Sequence, residues 1–464
     1  MSGVLTNPYY LREFHHPGSS AQGAIVAAMP AGSFVGALAV TQLADKLGRK
    51  KTILLSSLIW VIGSILQCAS INRGMLVVGR IVSGLSIGIA STVVPIYQSE
   101  ITAPAIRGRM VSLQQWRVIN PVSDDSCNNM LEGPSLGVSS SNILSNLVVQ
   151  PSLVDGLDEE ALEILADVHG HGDKNNELVQ LEYEEIKQQV LFEKSEGAKS
   201  YRDLLKGNTP RRVFLGCSLQ MWSQLTGMNV MMYYIVYVFE GSGLTGTRVS
   251  LIAATVQYVL NVVATIPAII FIDKWGRRPM MILGCLFMGT FLYLVGGLQA
   301  RYGHWGTVDD APVWIITGHD AATKGIIVCS YLFVCSFAVT VGPVSWTYPA
   351  EIYSLKTRGK AVSLATATNW IFNFALAWAT PPGFANIAWK TYFVFGTFNF
   401  AACVHFFFMF PETVGRTLEE VEDIFNEGHP FAPWKIGKHT GKRTLADVVG
   451  QNKEHSSIDE KEHV

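Results

Sequence analysis

Long apolar stretches alternate with short charged ones along most of the chain. Nine windows of about 18 or more mostly apolar residues occur, at 24–44, 52–71, 75–97, 213–239, 249–272, 280–298, 325–349, 361–380 and 391–410. An apolar run of this length is sufficient to cross a bilayer as a helix. The pattern therefore predicts an all-α polytopic membrane protein rather than a soluble globule with buried helices.

Composition and charge support this interpretation. The chain has 464 residues, of which 49% are hydrophobic and only 16% charged, whereas a soluble domain carries about 25% charged residues. Lys and Arg cluster in alternate connections, at 46–51, 107–109, 211–212, 274–278 and 356–360. Because basic loops stay in the cytoplasm, we expect residue 1 outside and the C-terminus inside.

Several kinds of chemistry are disfavoured. Six of the seven cysteines lie in apolar segments and no CxxC pair occurs, so neither a disulfide framework nor a metal site is indicated. The sequence shows no phosphate-binding loop and no nucleophile–base arrangement. We therefore expect no enzyme activity, no cofactor and no nucleic-acid partner.

Two motifs occur twice, in the same order. "LADKLGRKK" (43–51) resembles "IDKWGRRP" (272–279), and "YQSEITAPAIRGRMVSL" (97–113) aligns without a gap with "YPAEIYSLKTRGKAVSL" (348–364). Two ordered pairs indicate an internal duplication. Parallel repeats of this kind characterise one class of secondary transporter.

The repeated motifs place matching charges at helix corners of both halves. We expect ion pairs there to hold the halves together on the cytoplasmic side and to break when the halves move apart. The alternative is that these residues serve only topology and turn geometry. The candidates are Asp45, Arg49, Glu100 and Arg107 in the first half, and Asp273, Arg277, Glu351 and Arg358 in the second.

Six segments carry a resemblance to a known family. They are "GRIVSGLSIGIAS" (79–91), "PIYQSEITAPAIRGRM" (95–110), "QMWSQLTGMNVMMYY" (220–234), "DKWGRRP" (273–279), "GPVSWTYPAEI" (342–352) and "PETVGRTLEEVE" (411–422). Over roughly 1–116 and 158–430 the chain resembles the sugar porter family of the major facilitator superfamily, particularly fungal monosaccharide transporters. The resemblance implies a bundle of two helical halves.

Amides inside one apolar span indicate a ligand site. Gln220 and Gln224 are four residues apart on one helix face, and Asn229 follows beyond Gly227. Such amides suit sugar hydroxyls because they both donate and accept, although helix-to-helix bonding is the alternative. By the resemblance these three match sugar-binding positions, and so do Trp346, Asn369, Trp370 and Asn373.

Other residues of these spans have narrower expectations. Ser223 departs from the family pattern, which often has a second Gln there. The Tyr233–Tyr234 pair resembles the family's gate aromatics, with plain packing as the alternative. Gly342 and Pro343 are expected to let their helix flex, and Pro381–Pro382 to end the span 361–380.

Arg80 lies inside an apolar span and is the candidate coupling residue. In proton-coupled members of the family the matching Arg lies beside an Asp on the first helix. That helix typically ends "DQGVMSGVL", and this chain begins "MSGVL". We therefore expect that the chain is truncated and starts at an internal methionine of the family pattern.

The sequence predicts four regions, of which the second is unusual. They are an incomplete transmembrane half (1–116), an atypical insertion with a central cytoplasmic loop (117–210), a six-helix transmembrane half (211–425) and a cytoplasmic tail (426–464). Residues 117–156 are rich in Ser and Asn and resemble nothing in the family. A faulty gene model or a mis-spliced transcript is our hypothesis for this stretch.

The leading functional prediction is transport of a hexose or pentose across the plasma membrane by alternating access. Facilitated diffusion and proton symport both remain open, so a monosaccharide, protons and the lipid bilayer are the expected partners. Two alternatives are a non-functional transporter fragment and a transporter-like sugar sensor. The short C-terminal tail argues against a sensor.

Overall fold

The computed structural model describes residues 19–101, 201–235, 238–239, 242, 247–308, 311–354, 356–414, 421 and 424–425. Most of these residues are helical. The helices are α1 Ser19–Leu47, α2 Arg49–Cys68, α3 Arg73–Ile101, α4 Thr209–Leu225, α5 Met228–Tyr233, α6 Thr247–Trp275, α7 Arg277–Tyr302, α8 Asp320–Val339, α9 Val341–Ile352, α10 Arg358–Ile387 and α11 Lys390–Met409, with a 3-10 helix at Tyr201–Leu205.

A β-hairpin that the sequence pattern did not predict joins α7 to α8. Its strands are β1 (Gly303–Val308) and β2 (Ala311–Ile316), paired antiparallel with Trp305 opposite Trp314. The two indole rings pack edge to face with 5.4 Å between their centroids. We call this side of the bundle the hairpin end.

Seven segments of the described chain are long and apolar enough to cross a membrane. They account for all the predicted spans except 213–239 and 361–380, which the structure nevertheless forms as α4 with α5 and as α10. The first of these regions is interrupted at Gly227, so its two helices have 17 and 6 residues and are each too short to span. The second, α10, contains the amides Asn369 and Asn373, which lower its hydropathy.

The outer surface of the bundle is apolar, as a lipid-facing surface requires. Large hydrophobic side chains project from several helices, among them Leu58 with 63% of its surface exposed and Val404 with 57%. A contiguous exposed apolar surface of this kind is rare on a soluble monomer. The structure therefore agrees with the predicted polytopic membrane protein.

Close helix contacts join the first-half helices to each other and to α10. Glycines four residues apart let the backbones of α1 and α3 touch, where any larger side chain would collide with the facing backbone. Ser33 adds a bond from its hydroxyl to the Gly84 carbonyl at 2.9 Å. Across the halves, Ser363 of α10 donates to the Ala37 carbonyl of α1 at 2.6 Å.

Helix α10 does not end at Pro381–Pro382, so that expectation was wrong. The helix continues through both prolines to Ile387. Pro381 has no N–H to donate to the carbonyl four residues earlier. The Tyr234 hydroxyl donates to that carbonyl, on Ala377, at 2.9 Å instead. The side chain of Tyr234, the residue that follows α5, thus replaces the missing helix bond.

The two copies of the Asp-Lys-x-Gly-Arg motif form the same backbone corner. Gly48 has φ 78° and Gly276 has φ 91°, a region that favours glycine. Each glycine precedes an arginine that begins the next helix, Arg49 in α2 and Arg277 in α7. We call this side of the bundle the charged end. The duplication therefore repeats a turn as well as a charge pattern.

Replacing Gly276 with Ala should destabilise the protein. The left-handed φ costs an alanine about 1–2 kcal/mol, and the new Cβ would lie 2.8 Å from Glu412 Oε2. We expect a lower midpoint of thermal unfolding for the purified variant in detergent.

Gly297→Ala is the matched control on the same helix. In the described part of the chain, no atom beyond the adjacent turns of α7 lies within 4 Å of a Cβ at that position. An alanine inside a helix is favoured over glycine by about 1 kcal/mol. Equal shifts in the unfolding midpoint of both variants would contradict the conformational argument.

Candidate functional site

A break in one span brings two predicted site residues together. Gly227 has φ 87° and separates α4 from α5. The break allows Asn229, the second residue of α5, to turn back towards α4. Its Nδ2 atom donates to Gln224 Oε1 at 2.6 Å.

Two asparagines of α10 complete an amide cluster around Gln224. Gln224 Nε2 donates to Asn369 Oδ1 at 2.5 Å, and Asn373 Nδ2 donates to Gln224 Oε1 at 3.2 Å. Gln224, Asn369 and Asn373 are each at most 5% exposed. The structure thus brings four predicted residues into one hydrogen-bonded group, which we call the amide cluster (Gln224, Asn229, Asn369 and Asn373).

Gln220 lies one helical turn from Gln224 and has an amide that is only half used. Its Nε2 atom donates to the Ser345 carbonyl of α9 at 2.8 Å. Its Oε1 atom is buried and has no hydrogen-bond partner among the described residues. A buried oxygen in this state can accept a bond from a ligand hydroxyl.

The predicted aromatic residues occupy different surroundings. Trp346 on α9 is half-buried, and no hydrogen bond or ring contact is found for it in the described part of the chain. Trp370 on α10 instead donates from Nε1 to the Ser91 hydroxyl of α3 at 3.1 Å. Trp370 thus joins the two halves, whereas the part of Trp346 in a ligand site stays a prediction.

The adjacent tyrosines differ in the same way. The Tyr233 hydroxyl donates to Asn373 Oδ1 at 3.4 Å, so this ring lies at the edge of the amide cluster. Tyr234 is 2% exposed and donates to the backbone of α10. Tyr233 thus borders the cluster, and Tyr234 packs inside the protein.

The chain has a helix interruption slightly before Gly342 and Pro343, where the sequence predicts a flexible point. Thr340, with φ −122° and ψ −88°, separates α8 from α9. Its hydroxyl donates to the Ser336 carbonyl at 2.5 Å. The interruption lies six residues before Trp346, so movement at the break would carry that indole with it.

Arg80 is buried in α3, with 5% of its surface exposed. One of its terminal nitrogens lies 3.9 Å from the Met29 sulfur of α1. The guanidinium is also near enough to act electrostatically on the Tyr233 hydroxyl. This charge of the first half thus lies towards the edge of the amide cluster.

At the charged end of the second half, Arg277 links two helices through carboxylates. One of its terminal nitrogens lies 2.9 Å from Asp273 Oδ1 of α6 and 2.7 Å from Glu351 Oε1 of α9. Its other terminal nitrogen donates to the Ile272 carbonyl at 3.0 Å. These bonds connect α6, α7 and α9 within one half of the chain.

The first-half counterparts are less fully described. The side chains of Asp45 and Glu100 and the whole of Arg107 lie outside the described residues. Arg49 is half-buried at the start of α2, and Arg358 is 4% exposed at the start of α10. Whether ion pairs bridge the two halves stays a prediction.

Glu412 and Thr413, which the sequence analysis did not single out, complete this corner. Glu412 accepts bonds from the backbone N–H groups of Arg277 and Arg278, at 2.9 and 3.0 Å, and so satisfies the N-terminus of α7. Thr413 donates to Glu351 Oε2 at 2.6 Å. Both residues belong to the quoted "PETVGRTLEEVE" segment. The spacing of the carboxylates in that segment did not predict that one of them bonds to the start of another helix.

Two further buried amides lie on α6. Gln257 is 0% and Asn261 4% exposed, and the Oε1 atom of the first and the Oδ1 atom of the second have no partner among the described residues. Their spacing of four residues inside an apolar span is the signal that identified Gln220 and Gln224. The same four-residue spacing in the span 249–272 identifies Gln257 and Asn261 from the sequence.

The arrangement suits a neutral ligand with several hydroxyl groups. The amide cluster offers donors and acceptors without a net charge, and an aromatic face lies on the neighbouring α9. The described residues contain no group of three His, Cys, Asp or Glu side chains that could hold a metal ion. The chemistry that the amide cluster itself supplies is hydrogen bonding.

Comparison with known proteins agrees with the family that the motifs indicated. The family model described as sugar (and other) transporter matches residues 1–119 and 153–425. The unmatched residues 120–152 fall inside the stretch 117–156 that resembled nothing in the family. Most of the chain thus matches.

Individual relatives lead to the same family. The chain is 45% identical over 460 residues to the glucose transporter mfs1 of Aspergillus flavus, covering 93% of this chain and 86% of that one. It is 41% identical over 467 residues to the high-affinity glucose transporter of Kluyveromyces lactis, covering 95% and 83%.

A solved structure confirms the fold. The proton:xylose symporter XylE, bound to 6-bromo-6-deoxy-D-glucose, superposes with a TM-score of 0.68 at 23% identity, covering 91% of this chain and 92% of that one. The predicted helical fold of the major facilitator superfamily is therefore confirmed. Together with the relatives, it shows that the chain belongs to the sugar transporter family of the major facilitator superfamily.

Proposed function

We propose that this chain transports a monosaccharide, with glucose as the first candidate, across the plasma membrane by alternating access. The observation that carries the proposal is the convergence of amides from α4, α5 and α10 on Gln224. The relatives named as glucose transporters support the choice of sugar.

Sugar hydroxyls suit the amide cluster because each can both donate and accept. An incoming hydroxyl can replace an amide–amide bond, so the buried groups stay paired with and without sugar. Gln220 Oε1 offers a further acceptor beside the cluster. The apolar face of the ring would rest on Trp346.

Alternating access requires points where the helices change direction. The breaks at Gly227 and Thr340 provide two such points next to the site. The Trp370–Ser91 bond joins α10 to α3 across the two halves. In this proposal that bond must break when the site opens between those two helices.

The charged end faces the cytoplasm in this proposal, and so does the C-terminus. Lys and Arg concentrate at that end, at Arg49 and Lys51 in the first half and at 274–278 and 356–360 in the second. The cluster around Arg277 would hold α6, α7 and α9 together as one unit during the movement. Arg80 is the candidate residue for coupling sugar movement to protons.

Uptake of radiolabelled glucose into yeast without its own hexose transporters tests the proposed function. The wild-type chain should give saturable uptake. Gln224→Ala removes the centre of the cluster and leaves buried amides unpaired, so the KM should rise by about tenfold or more. Trp346→Ala should also raise the KM because the platform is lost.

Gln67→Ala is the matched control. Gln67 is also an amide between helices, bonded to the Ser83 hydroxyl at 2.7 Å, but it joins α2 to α3 away from the cluster. At equal surface amounts its KM should stay near the wild-type value. Absence of uptake by a wild-type chain at the cell surface would contradict the transport proposal.

Glu351→Gln tests the cluster at the charged end. Arg277 loses one charged acceptor, a bond worth about 1.5–3 kcal/mol. The partners of Glu351 are Arg277 and Thr413 at the charged end rather than members of the amide cluster. The maximal rate of glucose uptake should therefore fall by about tenfold while the KM changes little.

The control for this variant is Asp203→Asn. Asp203 pairs with Lys206 at 2.8 Å, but the Lys206 side chain is 78% exposed, and exposed pairs contribute about 0–1 kcal/mol. Uptake should be unaffected. A changed KM with an unchanged maximal rate in Glu351→Gln would refute the assigned role.

A further inference from the structure

Gln257 on α6 has a buried amide of which the protein uses only one group. None of the residue's surface is exposed. Its Nε2 atom donates to the Met232 sulfur at 3.6 Å, and a thioether is a weak acceptor. Its Oε1 atom has no hydrogen-bond partner in the described chain. A buried amide oxygen without a donor costs free energy, so it calls for an explanation.

The position of Met232 places Gln257 beside the amide cluster. Asn229, Met232 and Tyr233 are spaced i, i+3 and i+4 and therefore share one face of α5. All three are half-buried, while the other α5 residues are buried. Asn229 and Tyr233 each bond to a member of the cluster. Gln257, bonded to the residue between them, therefore lies against the same face of α5 on its α6 side.

The backbone around this contact is fixed. The Tyr258 hydroxyl donates to the Met232 carbonyl at 2.9 Å, which holds α6 against α5. Tyr331 of α8 in turn donates to the Ala253 carbonyl of α6 at 3.0 Å. These bonds hold the part of α6 that carries Gln257 against α5 and α8.

Position 223 of α4 carries a short side chain between the two glutamines of the candidate site. Gln220, Ser223 and Gln224 are also spaced i, i+3 and i+4 and share one face. The Ser223 side chain, between two glutamines, is short and ends in one hydroxyl. A sugar hydroxyl on that side therefore has no long side chain at position 223 as a hydrogen-bond partner.

We infer that Gln257 accepts a hydrogen bond from one sugar hydroxyl and makes the site selective for sugars that carry a hydroxyl at that ring position. The inference rests on the proposed sugar transport and adds a residue that determines specificity. A site built to bond a hydroxyl rejects an analogue that lacks it. Removing Gln257 should therefore reduce selectivity at one ring position rather than weaken the binding of every sugar.

The test compares glucose with its monodeoxy analogues as competitors of labelled glucose uptake. In the wild-type protein, the analogue without the contacted hydroxyl should bind about tenfold more weakly than glucose. In Gln257→Met, which has nearly the same shape but no amide, the difference should fall to within about twofold for that analogue alone. Penalties for the other analogues should remain.

Two further variants keep the test independent of folding. Gln257→Glu retains oxygen acceptors at the same reach and should keep the penalty at the same hydroxyl. Gln257→Asn withdraws the amide by one methylene, so this variant should lose the penalty at that hydroxyl, as Gln257→Met does. Gln67→Met, in the amide between α2 and α3, should leave every penalty unchanged.

The possible failures are distinguishable. If all deoxy-sugar penalties are the same in wild type, Gln257→Met and Gln257→Asn while glucose uptake persists, the inference is wrong and the proposed function stands. If loss of Gln257 weakens every analogue by one common factor, its role is packing and the inference is again wrong. If glucose neither binds nor enters with the wild-type chain, both fail.

Discussion

An amide inside an apolar helix bundle must be hydrogen-bonded by the protein or by a ligand, because the bilayer offers no partners. This constraint governs the region around Gln224. Both groups of its side chain are occupied, by Asn229, Asn369 and Asn373. Since these residues come from α4, α5 and α10, the same bonds that satisfy the amides also fix how three helices meet.

The same constraint explains how the chain tolerates irregular backbone at this depth. Two carbonyls near a break or a proline accept hydrogen bonds from side chains of other segments. Gln220 bonds to Ser345 just after the break between α8 and α9, and Tyr234 bonds to Ala377 below Pro381. The interrupted helices are therefore bonded to one another through these side chains. We expect them to move together rather than independently.

Much of this architecture follows from the sequence. Apolar run length predicted the spans, the repeated motifs predicted matching corners, and amides in an apolar span indicated where a polar ligand would lie. The positive φ of Gly48 and Gly276 gives the repeated glycine a physical reason. The role of the clustered amides in sugar binding stays a prediction, although the structure places four of them together.

What sequence reasoning missed depends on contacts distant in the chain. Nothing local shows that Tyr234 supplies the bond that Pro381 lacks, so α10 was predicted to end too early. Nothing local shows that Glu412 satisfies the start of α7, 135 residues away from Arg277. The hairpin escaped notice because its strands are short and contain two glycines and a proline. In contrast, Gln257 and Asn261 are two amides four residues apart in an apolar span, a pattern that is visible in the sequence.

Equilibrium binding of glucose enantiomers to the purified protein tests the central claim most directly. D-glucose and L-glucose have the same polarity and size, so only the arrangement of hydroxyls against fixed amides can separate them. The account predicts saturable binding of D-glucose, no measurable binding of L-glucose, and D-glucose binding weakened by about tenfold or more in Gln224→Ala. Equal binding of both enantiomers, or unchanged D-glucose affinity in Gln224→Ala, would contradict it.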